Sequence, residues 1–171
     1  MKRILLCILC ILLFGGVLSA ENLIENADFG QNFAGWWSNS KLFSVHEEAE
    51  VKELWIYGDP VDEQYNQRLI RLLPGIPSEQ IAGHDFTLSF KSEIRKLSGA
   101  LRIAIRQIDS GGKSLGYHTV RFCKYDRHDW QEFRKSYKMS THTVQLAIYI
   151  SADYLAGDDL VKLKELKLSR D

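Results

Sequence analysis

Carboxylates crowd two stretches of the sequence, with Glu47, Glu48, Glu50, Asp59, Asp62 and Glu63 in the first and Asp126 and Asp129 in the second. Two such groups on opposite sides of a glycosidic bond can hydrolyse it, but nothing in their spacing selects a pair. The stretch "HEEAE" from His46 opens like a zinc-binding helix and lacks the second histidine, because position 50 is Glu50. The histidines His46, His84, His118, His128 and His142 are scattered, which suits surface or loop positions better than a metal site. "YDRHDW" gathers Asp126, His128 and Asp129 in what reads as a charged turn. No nucleophile elbow, phosphate loop, metal or cofactor is expected. What remains is a set of aromatic and charged side chains that share a parity, which is the material of a binding face.

Alternation of period two dominates the chain. In "FTLSFKSEI" Phe86, Leu88, Phe90 and Ile94 oppose Thr87, Ser89, Lys91 and Glu93. In "LRIAIRQID" Leu101, Ile103 and Ile105 oppose Arg102, Ala104 and Arg106, and in "TVQLAIYIS" Val144, Leu146, Ile148 and Ile150 oppose Gln145, Ala147, Tyr149 and Ser151. These are half-buried strands with one wet face. "DSGGKS" reads as a hairpin turn and "PGIPSEQIAGHD" as a longer loop. About ten short strands without a convincing helix predict an all-β antiparallel sandwich or barrel. "DDLVKLKELKL" reads either as a helix capped by Asp158 or Asp159, or as a strand whose phase slips at Lys164–Glu165, a slip that a β-bulge absorbs.

Residues 1–20 read as a signal peptide, with "MKR" before an apolar run and small residues ending at Ala20. Residues 21–171 then form a single domain, secreted or periplasmic and without membrane contact after cleavage. The chain has 22 basic and 22 acidic residues. Loss of Lys2 and Arg3 leaves a slight acid excess, which argues against a nucleic-acid partner. Cys123 alone survives cleavage, so no internal disulfide is expected, and its type suits a small buried hydrophobe.

Three pieces together resemble the jelly-roll carbohydrate-binding modules attached to xylanases and cellulases, families four, nine and twenty-two. They are "NLIENADF" followed by "GWW"; "LLPGIPSEQIAGHDFTLSFKSEI"; and the closing "DWQEFRKSYKM", "VQLAIYI" and "LVKLKELKL". The resemblance covers nearly all of the mature chain. It implies a galactose-binding-like jelly roll, an opening strand at "NLIENADF" and a terminal strand at "LVKLKELKL". It makes Trp36 a core anchor, and alternation then points Trp37 the other way, toward the polar "SNSK".

The function the resemblance implies is non-catalytic glycan binding. A sugar offers a C–H face ringed by hydroxyls, which suits an aromatic ring flanked by polar groups. Arg102, Arg106, Glu93 and Lys91 are expected on one sheet face, with Tyr117, Arg121 and Tyr149 beside them if their strands share that sheet. A loop edge around Trp37, Trp55 and Tyr57 is the second location, unless Trp55 and Tyr57 cover a core face instead. An ordinary solvated face of charge pairs is the competing reading for any one of these residues. A protein-binding assembly or adhesion domain is the alternative function, which a contiguous exposed apolar patch favours. A small glycan-active enzyme is the third. The resembling modules often hold calcium between the chain ends. Here Gly30 and the Lys164–Glu165 pair stand at the matching positions, although Asp28, Glu25 and Glu165 still offer oxygens. A metal-free site is expected, with the Lys164 ammonium either bonding the oxygens that would face calcium or pointing into solvent.

Overall fold

The computed structural model describes residues 21–58 and 67–171. The leader with Cys7 and Cys10, and the carboxylates Asp59, Asp62 and Glu63, lie outside them. Ten strands follow in chain order: β1 (Trp37–Ser38), β2 (Phe43–Glu48), β3 (Val51–Tyr57), β4 (Gln67–Leu73), β5 (Asp85–Lys96), β6 (Ala100–Ile108), β7 (Ser114–Phe122), β8 (His128–Lys138), β9 (Gln145–Asp153) and β10 (Leu160–Arg170). One 3-10 turn, Ser78–Gln80, sits in the loop before β5. One sheet has the order β1-β4-β9-β6-β7 and the other β2-β3-β10-β5-β8, with all pairings antiparallel. The expected sandwich is the observed one; the sheets are called A and B below.

The alternation explains the core. Phe86, Leu88, Phe90 and Ile94 of β5 and Val161, Leu163, Leu166 and Leu168 of β10 point inward from sheet B. They meet Leu69 of β4, Leu101, Ile103 and Ile105 of β6, and Leu146, Ile148 and Ile150 of β9. Each such side chain contributes about 1.5–3 kcal/mol on burial. The terminal segment is a strand, and the register with β5 shifts between Lys164 and Lys167. Glu165 sits there at φ 54, so the bulge returns Leu166 and Leu168 to the core side that Val161 and Leu163 already face.

The opening segment is not a strand. Asn26, Phe29 and Asn32 all have positive φ, which an extended strand does not tolerate, so the chain runs as consecutive turns. Asparagines replace the missing ladder. Asn22 Nδ2 donates to Leu166 O (2.9 Å), and Asn22 Oδ1 accepts from Leu168 N (3.0 Å). Asn26 donates to Asn32 O and Ala34 O and accepts from Gln31 N. Trp36 is then seated 5.5 Å from Phe29 and donates to Asn26 O. Arg71, pointing inward from β4, closes this end through Glu25 (2.5 Å) and Ala34 O (3.2 Å). Gly35, at φ 77, leaves room for its guanidinium: a Cβ there would stand 1.2 Å from Arg71 Nη1.

Other expectations need correction. Cys123 is exposed, because it lies beyond the last inward residue of β7, Phe122. His46, His118 and His128 are half-buried strand residues, stacked or packed on Trp55, Tyr137 and Phe122. "HEEAE" forms the end of β2 and its turn, where Ala49 and Glu50 both have positive φ as a two-residue hairpin requires. Gly112-Lys113-Ser114-Leu115-Gly116 does spell G-x-S-x-G. It spans the β6–β7 turn and enters β7 with no helix behind it, so Ser114 is no nucleophile elbow.

Candidate functional site

Strands β5 and β6 belong to different sheets. Their link, Leu97-Ser98-Gly99, arches across the sandwich instead of turning back. Leu97 is buried, and Asp159 Oδ2 accepts from Ser98 N (2.9 Å), Ser98 Oγ (2.5 Å) and Ala156 N (3.0 Å). Gly99 runs so close to β9 that a Cβ would lie 2.0 Å from Asp153 O. The expected single face therefore splits. Arg102, Arg106, Tyr117, Tyr149 and Arg121 share sheet A, whereas Glu93 and Lys91 lie on sheet B. The proposed loop edge splits too, with Trp37 on sheet A and Trp55 and Tyr57 on sheet B.

The outer face of sheet A is laid out in rows by strand register. One row runs Trp37, Ile70, Tyr149, Ala104, Thr119; a second runs Arg68, Ser151, Arg102, Arg121; a third runs Leu72, Ala147, Arg106, Tyr117. At about 4.8 Å per strand the first row is about 19 Å long. Small residues at Ala104, Ala147 and Ser151 lower the middle of the face. The result is a shallow cavity of about 250 Å³ lined by Arg68, Arg102, Ala104, Tyr117, Thr119, Tyr149 and Ser151. Tyr149, 8% exposed, is its floor. The Arg68 guanidinium lies 5.6 Å above its ring, and Tyr117 meets it edge to face at 5.6 Å. Tyr117, at 49%, and Trp37, at 56%, are the open rings. Arg102 pairs with Asp153 at 2.6 Å. Arg106 Nε is buried and has no acceptor among the described residues.

Sheet B presents the opposite condition. Lys162 lies in register between Trp55 and Glu93, with its side chain 3% exposed. Its ammonium stands 3.0 Å from Glu48, 3.5 Å from Glu93 and 3.9 Å from Glu53, and 4.4 Å from the Trp55 ring centre. Lys164 bonds Glu53 at 3.1 Å and covers Trp130 at 3.8 Å. Burial pushes the Glu93 carboxyl up, and the hydrogen bond from Arg95 together with the Lys162 charge outweighs it, so the group titrates below its ordinary value. Trp55 stacks on His46 at 4.3 Å and donates to Glu53, while the Ser44 and Tyr57 hydroxyls both reach His46 Nε2. Glu93, Trp55 and Tyr57 thus spend their polar and ring contacts on neighbours within sheet B.

The calcium position does not suit the ion. Gly30 O accepts from the Lys52 ammonium at 2.9 Å, Asp28 Oδ1 caps Gly30 N, and Glu165 pairs with Lys91 at 2.7 Å. Glu25 is engaged by Arg71. Gly30 O, Asp28 Oδ1, Glu25 and Glu165 are thus already held by N–H groups, and the Lys52 ammonium among them repels a cation. Lys164, the ammonium expected there, instead faces sheet B, and Lys52 takes the role. Wider hollows lie near Arg71 and Pro74 (370 Å³) and near Asp109 and His142 (570 Å³), but neither is lined by a phenylalanine, tyrosine or tryptophan ring.

No family profile and no curated protein matches the sequence. Solved structures match in shape. A family 16 carbohydrate-binding module gives a TM-score of 0.64 at 14% identity, covering 86% of this chain and 99% of that one. A family 61 module in complex with β-1,4-galactotriose gives 0.61 at 17% identity, covering 89% and 100%. The enzymatically active domain of tailspike protein 4 from bacteriophage CBA120 gives 0.65 at 12% identity over 88% of this chain, which spans 21% of that one. At such identities the likeness is one of fold. Modules of families 4 and 22, two of those the sequence resembles, are among the matches, with TM-scores of 0.53 and 0.54. In fold, the chain is a jelly-roll sandwich of the carbohydrate-binding-module kind.

Proposed function

We propose that this protein is an exported, non-catalytic module that holds a glycan on the outer face of sheet A. The observation that carries the reading is a lowered, partly polar floor lined by Tyr149 and the open Tyr117 ring, with a second open ring, Trp37, at the β1 edge of the same face. The rings suit the C–H faces of a sugar, and Arg102, Ser151, Thr119 and Arg106 suit its hydroxyls. The saturated contacts of sheet B supply the contrast. Module neighbours described with β-1,4-galactotriose and as xylan-binding add support by analogy. Asp153 is the one carboxylate on the described part of the sheet A face and is engaged by Arg102, which favours holding a glycan over cleaving it, since hydrolysis needs two. The polar floor also favours glycan over a protein partner, which a contiguous apolar patch would serve better. The test is a panel of plant, algal and bacterial polysaccharides read by calorimetry and by product release. Binding without released sugar is the expected result; release of reducing ends, or binding to no glycan at all, overturns the reading.

A further inference from the structure

The links β5–β6, β7–β8 and β9–β10 all pass from one sheet to the other. Register puts them at one end of the sandwich, where Lys96 stands opposite Leu160, Ile94 opposite His128, Leu101 opposite Phe122 and Ala100 opposite Asp153. The second and third links carry Tyr125 and Tyr154 there, both with left-handed backbone, at φ 75 and φ 57. A Cβ in that region crowds the following carbonyl, so a tyrosine costs stability where a glycine does not. Eight non-glycine residues have positive φ among the described residues, and six of them have a reason inside the fold. Asn26 and Asn32 are of a type that tolerates it, Phe29 is fully buried, Ala49 and Glu50 close the β2–β3 hairpin, and Glu165 forms the bulge. Burial does not account for the two tyrosines: Tyr125 is 81% exposed and Tyr154 53%. Unfavourable backbone kept under an exposed side chain points to a use outside the fold. Resting on the glycan-binding reading above, we infer that this end carries a second glycan site, apart from the sheet A face, where the Tyr125 and Tyr154 rings stack on a sugar.

Both tyrosine loops lean on the same three-residue link. Tyr125 N donates to Leu97 O at 2.9 Å, and a Cβ on Gly99 would stand 2.5 Å from Tyr154 O. Leu97 to Gly99 spans at most about 7 Å, so the two loops flank a narrow saddle. Their backbones are held. Cys123 N donates to Asp126 Oδ2 at 2.6 Å and Asp126 N to Cys123 O at 3.0 Å, while Asp159 grips Ser98 and Ala156. Rings presented on fixed backbone lower the ordering cost of binding. The surroundings are polar: the Lys124 ammonium lies 5.0 Å from the Tyr125 ring centre, Lys96 pairs with Asp158, and Leu97 and Leu155 of the same loops are buried. A protein partner or lipid surface calls for a contiguous apolar patch. Rings among hydrogen-bonding groups suit a sugar, whose C–H face takes the ring while its hydroxyls take the charged groups. Tyr117, the open ring of the sheet A floor, lies five residues down β7 from Phe122, about 17 Å along the strand. Two separate sites on one module bind a polymer more tightly than either alone.

The experiment titrates the protein calorimetrically with β-1,4-galactotriose, with a trisaccharide cut from the best-binding polysaccharide of the panel, and with that polysaccharide intact. Two trisaccharides per protein molecule are expected. Tyr125→Gly and Tyr154→Gly remove a ring and suit a left-handed backbone. Each is expected to abolish one of the two sites, to weaken polymer binding at least fivefold, and to leave the melting temperature unchanged or higher. Tyr117→Ala is expected to abolish the other site. Glycine variants that bind like the parent overturn the inference and leave the sheet A reading standing. A lowered melting temperature in both assigns the tyrosines to the fold and overturns it as well. Loss of all binding in the glycine variants, with Tyr117→Ala unaffected, upholds the site at this end and sinks the sheet A reading. Failure of the parent to bind any member of the polysaccharide panel sinks the glycan reading itself.

Discussion

Trp36 and Trp37 are neighbours with opposite surroundings, so truncating each to alanine separates stability from binding. Trp36 is 8% exposed, packs on Phe29 and anchors the opening turns through Asn26 O. Removing a buried aromatic costs about 3–5 kcal/mol, and at roughly 2–4 °C per kcal/mol for a domain of this size the melting temperature falls by about 6–20 °C. Trp37 is 56% exposed. Taking about 250 Å² for the side chain, about 140 Å² is open, and a sugar covering half of it removes about 70 Å² from water. At about 25 cal/mol per Å² that is roughly 1.8 kcal/mol, or about twentyfold in affinity. Urea unfolding followed by circular dichroism and calorimetric titration with the best glycan read the two quantities independently. A Trp36→Ala variant that unfolds like the parent and loses the ligand would falsify the assignment, and so would a Trp37→Ala variant that binds undiminished.

Thermal melts are expected to be the same with added calcium and with a chelator, because Lys52 and Lys91 hold the oxygens at the candidate position; a large calcium-dependent rise would contradict that. Lys162→Ala leaves Glu53 and Glu93 without their central cation and is expected to cost about 3–5 kcal/mol, whereas Glu48→Gln, at the exposed rim, is expected to cost under about 1 kcal/mol; comparable costs in urea unfolding would mean the cluster is not centred on Lys162. Gly35→Ala drives a Cβ into Arg71 and imposes a left-handed residue, and a loss of about 2–4 kcal/mol in the same assay is expected. Because the folded-state pKa of Glu93 is depressed, its contribution is present above its ordinary value of 4.5 and is lost as pH falls through the lower folded value. The stability gap between the parent and Glu93→Gln should narrow below about pH 4.5, and a constant gap across pH-dependent melts counts against the ion-pair account.

Alternation made the inward and outward sides of β5, β6 and β9 legible, and the phase slip at Lys164–Glu165 marked the bulge of β10. Parity says which side of a strand a residue occupies, not which sheet the strand joins. That is why Glu93 was grouped with Arg102: a link of Leu97, Ser98 and Gly99 reads equally as a hairpin turn, and only the grip of Asp159 and the approach of Gly99 to Asp153 O make it an arch. The sheet A residues survive as a group because the "DSGGKS" hairpin and the β6–β9 ladder keep β6, β7 and β9 together. The opening segment misled because its asparagines look like strand residues in a family pattern and serve here as substitutes for a ladder. Lys52 was invisible as a partner of Gly30, since 22 positions separate them and no local pattern connects the two.

The middle strands of the two sheets, β9 and β10, are also the last two in chain order. Before residue 145 has been made, sheet A exists only as the pairs β1–β4 and β6–β7, and sheet B only as β2–β3 and β5–β8. Each pair has an open inner edge and an uncovered apolar side, the condition in which strands join the wrong neighbours. Assembly is therefore a closing event and not a progressive one. It waits on two keystone strands whose partners lie far back in the sequence, and loop-closure entropy makes such long-range pairing slow. A nascent chain stopped before residue 145 is not a shorter module but four strand pairs with no strand to join them, of which β2–β3 and β6–β7 are hairpins.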